Sequence, residues 1–330
     1  MANKSFPFYS SNSEGRTPDD PVVLDASPRS SLNDDENYLA DNDLASAVNV
    51  ALLLGQPLLL TGEPGTGKTQ LAYSVSAKLG YGKPLKFETK STSTARDLFY
   101  TYDSLSRFRA PADASQEGKD YMTYNALGLA ILLANYEAEV SDALPEGFDH
   151  GGRRRSVVLI DEIDKAPRDF PNDILNEVEH MYFRVPELQN RPFSAPSDMR
   201  PVLIMTSNSE KHLPDAFLRR CVFHHITFPD PERLKLICQR RITRLDENHQ
   251  LLSDAIELFF KFREREGLDK RPATSELLDW LLYLLERGID VNAALRQHKM
   301  IVQSSLGILA KTHADQVAAE EIVKDWFGKS

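Results

Sequence analysis

Gly62-Glu63-Pro64-Gly65-Thr66-Gly67-Lys68-Thr69 is the stretch that decides the fold of this 330-residue chain. It fits the pattern G-x-x-x-x-G-K-S/T, the phosphate-binding loop called Walker A. Before it, Pro57-Leu58-Leu59-Leu60-Thr61 reads as a short buried strand; after it, Gln70-Leu71-Ala72 opens a helical run through Leu79. Strand, glycine-rich loop and helix in that order are the context the motif requires. The glycines let successive backbone N–H groups point at phosphate oxygens, and the helix N-terminus adds partial positive charge. Residues Gly62 to Gln70 are therefore expected to hold a nucleoside triphosphate. Lys68 would reach the β- and γ-phosphates, and the Thr69 hydroxyl would ligate Mg2+. An incidental glycine-rich turn is the alternative, and four fixed positions with correct flanks weigh against it.

Val157-Val158-Leu159-Ile160-Asp161-Glu162 is the second chemical signature. Four apolar residues predict a central buried strand, with two carboxylates at its C-terminal end, the edge where open parallel sheets bind ligands. Asp161 suits a carboxylate that holds Mg2+ through its water shell. Glu162 sits where a general base could polarise an attacking water. A surface helix cap is the alternative for Glu162, and its place after an apolar strand about 90 residues beyond a Walker A weighs against it. A further buried strand, Val202-Leu203-Ile204-Met205-Thr206, ends in Ser207-Asn208, where Asn208 could orient the water or touch the γ-phosphate; an isolated Ser-Asn would be a turn. Leu213 to Cys221 predicts a short helix ending in Arg219-Arg220. Permanently charged, planar guanidiniums suit the charge that spreads over a transferring phosphoryl group. From spacing alone a surface ion pair is the better reading of the two arginines. His224-His225 alternates across a strand and does not have metal-ligand spacing.

The remaining composition sets bounds. A formal net charge of −10 argues against a globally basic nucleic-acid surface. No run approaches the roughly 18 apolar residues of a membrane span, and Met1 onward lacks the order of a secretory signal. Only Cys221 and Cys238 are present, without a C-x-x-C, which fits a reducing cytoplasm better than disulfides or zinc. The length suggests about two domains. Residues 1–40 read as an irregular arm, from which Pro21-Val22-Val23-Leu24 could dock onto the body or a neighbour. Residues 41–229 read as an α/β nucleotide-binding core. Within it the patterns predict a helix at Leu44–Leu54 capped by Asp41 or Asn42, a strand at Phe87–Lys90 and a buried helix at Ala126–Ala134. They also predict a helix at Asn172–Glu179, an edge hairpin over Tyr182–Phe193 and a strand at Phe223–Pro229. Residues 230–330 read as a small all-α unit, with helices at Pro231–Arg244, Leu251–Glu266, from a capping Thr274 onward, Val291–Leu309 and Ala314–Phe327.

The order of these motifs resembles an AAA+ ATPase. Ser91-Thr92-Ser93-Thr94-Ala95-Arg96-Asp97-Leu98-Phe99-Tyr100-Thr101-Tyr102-Asp103, together with Asp161-Glu162-Ile163-Asp164-Lys165-Ala166, looks like the MoxR family of the helix-2-insert, dynein- and midasin-related clade. The resemblance covers Asp41 to Ser330. It implies a P-loop NTPase fold with an all-α lid, a hexameric ring with ATP and Mg2+ between subunits, and chaperone-like remodelling of a protein client. It also implies a von Willebrand factor A-domain partner. By the same resemblance Asn208 matches sensor 1, and Arg220, with Arg219 as rival, matches the arginine finger. The segments 91–103 and 182–193 correspond to loops that face the pore or client. Arg271 is the candidate for sensor 2, although Lys270-Arg271-Pro272-Ala273-Thr274 replaces the family's Ser-Pro-Arg. Two other classes are compatible with the same loop: a nucleic-acid motor, and a nucleotide-gated scaffold or sensor in bacterial defence.

Overall fold

Short β-rich apolar runs separated by helical segments favour a parallel sheet covered on both faces. The computed structural model describes residues 27–32, 37–109, 118–208, 213–245 and 249–328. Its strands are β1 (Leu58–Gly62), β2 (Leu85–Glu88), β3 (Tyr100–Tyr102), β4 (Met122–Tyr124), β5 (Val157–Asp161), β6 (Tyr182–Val185), β7 (Arg191–Ser194), β8 (Val202–Ser207) and β9 (Val222–Ile226). Five of them form a parallel sheet in the order β2-β5-β8-β1-β9. Alternate residues serve opposite faces: Leu59, Val158, Ile160, Leu203 and Met205 enter one core, while Leu58, Leu60, Val157, Leu159 and Ile204 enter the other. Burial on both sides explains why β1 and β5 read as continuous apolar runs.

The second face is closed by α1 (Asn42–Leu54) and α2 (Lys68–Lys78), and the first by α3 (Ala126–Leu133) among others. Asp41 caps α1, accepting from the Leu44 N–H at 2.7 Å, and Gly55 ends it in the left-handed region. The hairpin expected over residues 182–193 forms as antiparallel β6–β7. A second antiparallel pair, β3–β4, was not foreseen. Residues 172–179 do not make one helix: the chain forms Phe170–Asp173 and Leu175–His180.

From Pro231 onward the helices bury a core of their own, including Trp280 and Trp326. They include α4 (Pro231–Arg241), α5 (Gln250–Glu264), α6 (Thr274–Glu286) and α7 (His313–Gly328). Two local expectations fail here. Thr274 is not the cap: Ala273 holds that position, and its N–H donates to Glu276 Oε2 at 2.9 Å. The expected helix Val291–Leu309 is interrupted, with Lys299–Ser304 and Leu306–Leu309 on either side of Ser305. The buried Ser305 hydroxyl donates to the Val302 carbonyl at 2.9 Å and accepts from Trp280 Nε1 at 2.8 Å, so side-chain bonding competes with the helical ladder.

The N-terminal stretch is tied down where it is described. Pro28–Leu32 forms a 3-10 turn, Arg29 pairs with Asp279 at 3.1 Å, and the carbonyls of Leu32 and Leu39 accept from Arg241 and Arg233. The docking segment considered from sequence, Pro21–Leu24, lies outside the described residues. Arg153 Nη2 donates to both carboxylate oxygens of Asp198, each at 3.0 Å.

Candidate active site

In this strand order the C-terminal ends of β1, β8 and β5 lie side by side. The phosphate-binding loop leaves β1, Asp161 ends β5, and Asn208 follows β8. The loop depends on glycine at three positions: Gly62, Gly65 and Gly67 have φ of 145°, 75° and 88°. A Cβ on Gly62 would lie 2.5 Å from the Ile226 carbonyl oxygen, and one on Gly65 would lie 2.5 Å from Ala273 Cβ. Gly65→Ala therefore combines a positive-φ penalty with a clash, and is expected to destabilise the fold by more than about 1 kcal/mol. A denaturant titration checks this, and an unchanged midpoint would contradict the tight packing of the loop on α6.

Lys68 is buried beneath the loop, and its Nζ donates to the carbonyls of Gly62 at 2.8 Å and Glu63 at 2.9 Å. Burial lowers its pKa, against the pull of Asp164, Asp161 and Glu162. Those two carbonyl bonds hold the ammonium against the backbone of the loop.

Asp161 is the hub. Its Oδ1 accepts from Thr69 Oγ1 at 2.9 Å and Thr206 Oγ1 at 2.7 Å, and its Oδ2 pairs with Lys86 at 3.0 Å. Burial alone would raise its pKa; the bonds from Thr206, Lys86 and Thr69 outweigh that and hold it below the ordinary aspartate value. Glu162 adopts φ 56°, a left-handed conformation costing roughly 1–3 kcal/mol in a non-glycine residue. Its N–H donates to Thr206 Oγ1 at 2.8 Å, which turns the side chain out of the strand. Glu162 Oε1 accepts from Asn208 Nδ2 at 3.1 Å, and Oε2 pairs with Lys165. Asn208 is itself held through its N–H, 3.3 Å from both oxygens of buried Asp164.

Lys68, Thr69, Asp161, Glu162, Thr206 and Asn208 line a cavity of about 540 Å³, whose other wall includes Tyr38, Phe228, Thr274 and Leu278. Gln70 and Thr274 line it, and the buried Gln70 Oε1 and Thr274 Oγ1 have no hydrogen-bond partner. Burial, and next the Asp41 carboxylate, push the Tyr38 phenol up to about 12 despite Arg233 and Arg241 nearby. The donor set fits a nucleotide with Mg2+: loop amides and Lys68 for phosphate, and the hard oxygens of Thr69 and Asp161 for the ion. Among the described residues no three His, Cys, Asp or Glu side chains form a protein-only metal cage. A Mg2+ site completed by substrate phosphates needs none.

Other expected site residues lie elsewhere. Arg220 donates to Glu179 Oε2 at 2.7 Å and to the Ala216 carbonyl at 3.1 Å; with exposed Arg219 it borders a separate hollow that includes Gly55 and Arg200. Arg271 is exposed and is not among the residues lining the nucleotide cavity. Sequence reasoning missed Lys86, Thr206 as a ligand-orienting hydroxyl, and Asp164. Lys86 and Thr206 each sit in a strand whose register against β5 sets its partner; only the alternation in β2, which puts Lys86 and Glu88 on one face, hinted at the first. Cys221 and Cys238 are free, and burial raises both thiols to about 12.

A parallel sheet with a phosphate loop after β1 and a Mg2+-competent carboxylate at the end of β5 defines a P-loop NTPase. The family model for the AAA domain (dynein-related subfamily) matches residues 57–221, half of the chain, and the chain belongs to that family. Such proteins typically use ATP and Mg2+ and are usually oligomeric. Among solved structures, a Thermotoga maritima RuvB mutant is 17% identical, with a TM-score of 0.45 over 83% of this chain and 69% of that one. Domain III of the Thermotoga maritima replication initiation protein DnaA is 13% identical, with a TM-score of 0.42 over 85% of this chain and 98% of that one. No curated protein matches. No helix among the described residues is long and apolar enough to cross a membrane.

Proposed function

We propose that this protein hydrolyses ATP in an oligomeric ring, in the manner of MoxR proteins, and uses the cycle to remodel or activate a protein client. The observation that carries the reading is the convergence of Lys68, Thr69, Asp161, Glu162 and Asn208 on one cavity at the C-terminal edge of the sheet. In this reading Lys68 and the loop amides grip the β- and γ-phosphates. Thr69 and Asp161 would hold Mg2+, which neutralises charge on those phosphates. Glu162 takes a proton from the attacking water, and Asn208, bonded to both Glu162 and Asp164, holds that carboxylate in place. Residues 41–229 act as the nucleotide-binding core and 230–330 as its lid. A hexamer and a von Willebrand factor A-domain partner complete the reading by resemblance to the MoxR family, and the cysteine content favours the cytoplasm.

Arg220 and Arg219 support a ring because they are exposed and border a different surface from the cavity of their own chain. Either could complete the site of a neighbouring subunit. Arg220→Ala is expected to retain nucleotide binding while lowering turnover by about 10³-fold, the lower range for loss of an arginine finger. Equilibrium titration with a fluorescent ATP analogue and a phosphate-release assay check both halves. Full turnover in that variant, with loss in Arg219→Ala, would move the finger to Arg219; full turnover in both would overturn action in trans.

A further inference from the structure

Arg263 lies in the last turn of α5 and is 8% exposed. Its Nη2 donates to Glu63 Oε2 at 2.7 Å, its Nη1 donates to the Pro272 carbonyl at 2.6 Å, and its guanidinium lies 3.4 Å from the Phe228 ring centroid. One buried cation thus ties together three places: the phosphate-binding loop, the segment that enters α6, and the connection between β9 and α4. A guanidinium is suited to this because its planar fork engages two acceptors and stacks on an aromatic ring at once.

Glu63 is also connected to the phosphate site through its main chain. Its carbonyl is one of the two that hold Lys68 Nζ, at 2.9 Å. An ammonium drawn toward a phosphate gives up that bond, and the peptide it releases carries the side chain that Arg263 grips. The loop and the lid also touch directly, since a Cβ on Gly65 would meet Ala273 Cβ and lie 3.2 Å from Ser275 Oγ. Arg271, on the same connecting segment, is exposed and outside the cavity lining.

We propose that Glu63 and Arg263 form the positioning pair through which the phosphate-binding loop sets the orientation of the helical lid. The pair acts within one subunit and through the loop, without touching the reacting phosphate. The inference rests on the nucleotide-binding reading above and adds to it the route by which occupancy reaches the lid.

The test uses the full chain, with donor and acceptor dyes at positions 53 and 300, where Leu53 and Met300 are 86% and 83% exposed. Energy transfer is read with and without ADP–Mg2+ in the wild type, Arg263→Gln, Glu63→Gln and the double variant, alongside ADP affinity by calorimetry. The expected result is a nucleotide-dependent change in transfer in the wild type that is lost in each single variant. The double variant should lose no more than either single, the signature of residues acting as one unit. Should Arg263→Gln fail to fold, Glu63→Gln carries the test, since its side chain is half exposed. A nucleotide-dependent change that survives in Glu63→Gln, or losses that add in the double variant, would overturn the pair alone. A wild-type protein that binds no ADP would overturn the nucleotide reading and the pair with it.

Discussion

Glu162→Gln is expected to reduce ATP turnover by about 10²- to 10⁴-fold, the range for loss of a general base, while nucleotide affinity stays near wild type. The structure says why the two should separate. Glu162 is not among the groups that grip phosphate, whereas its carboxylate is aimed by Asn208 Nδ2 at 3.1 Å and by a backbone turn with φ 56°. Glutamine carries the same left-handed cost, and its amide oxygen can still accept from Asn208, so the fold should hold. What is lost is the basic oxygen. The check is single-turnover hydrolysis beside equilibrium binding. A variant that keeps turnover within a few-fold would remove Glu162 from the chemistry and leave Asp164, the other carboxylate touching Asn208, as the group to test next.

Lys68→Ala is expected to lower activity by the other route, through binding. A charge-assisted hydrogen bond contributes about 1.5–3 kcal/mol, which corresponds to roughly 10- to 150-fold in affinity. The substitution also leaves the Gly62 and Glu63 carbonyls without the donor that bonds them now. The loop should therefore be less ordered before nucleotide arrives, and the loss should lie toward the upper end. Calorimetric titration with ADP–Mg2+ measures it. Affinity within twofold of wild type would mean that the ammonium remains on the loop carbonyls and never reaches phosphate.

How much of this was legible in the sequence follows from how local each feature is. The loop Gly62–Thr69 is contiguous, and its residue types answer to backbone conformation, so its reading needed no tertiary information. The β5 run was legible because burial on both faces leaves four apolar residues in a row. Asp41 as a cap and Gly55 as a terminator follow from bonds three or four residues apart. The misreadings share the opposite cause. Thr274 looked like a cap, but Ala273 holds the position because Glu276 reaches back to its N–H, and the threonine hydroxyl is buried without a partner. The break at Ser305 depends on Trp280, which is remote in sequence. Lys86 and Arg263 matter only through partners brought close by sheet register or by packing of α5 on the loop. Arg271, chosen by its resemblance to sensor 2, is exposed and is not among the residues lining the cavity.

The central claim, a nucleotide site built in one chain and completed by an arginine from the next, is tested most directly by hydrolysis and molar mass measured together. Turnover per subunit and light scattering would be followed over a protein dilution series in ATP–Mg2+. The account predicts that turnover per subunit rises with concentration in step with the appearance of a multi-subunit particle. Turnover that is constant across the series, from a particle that remains a monomer throughout, would contradict it.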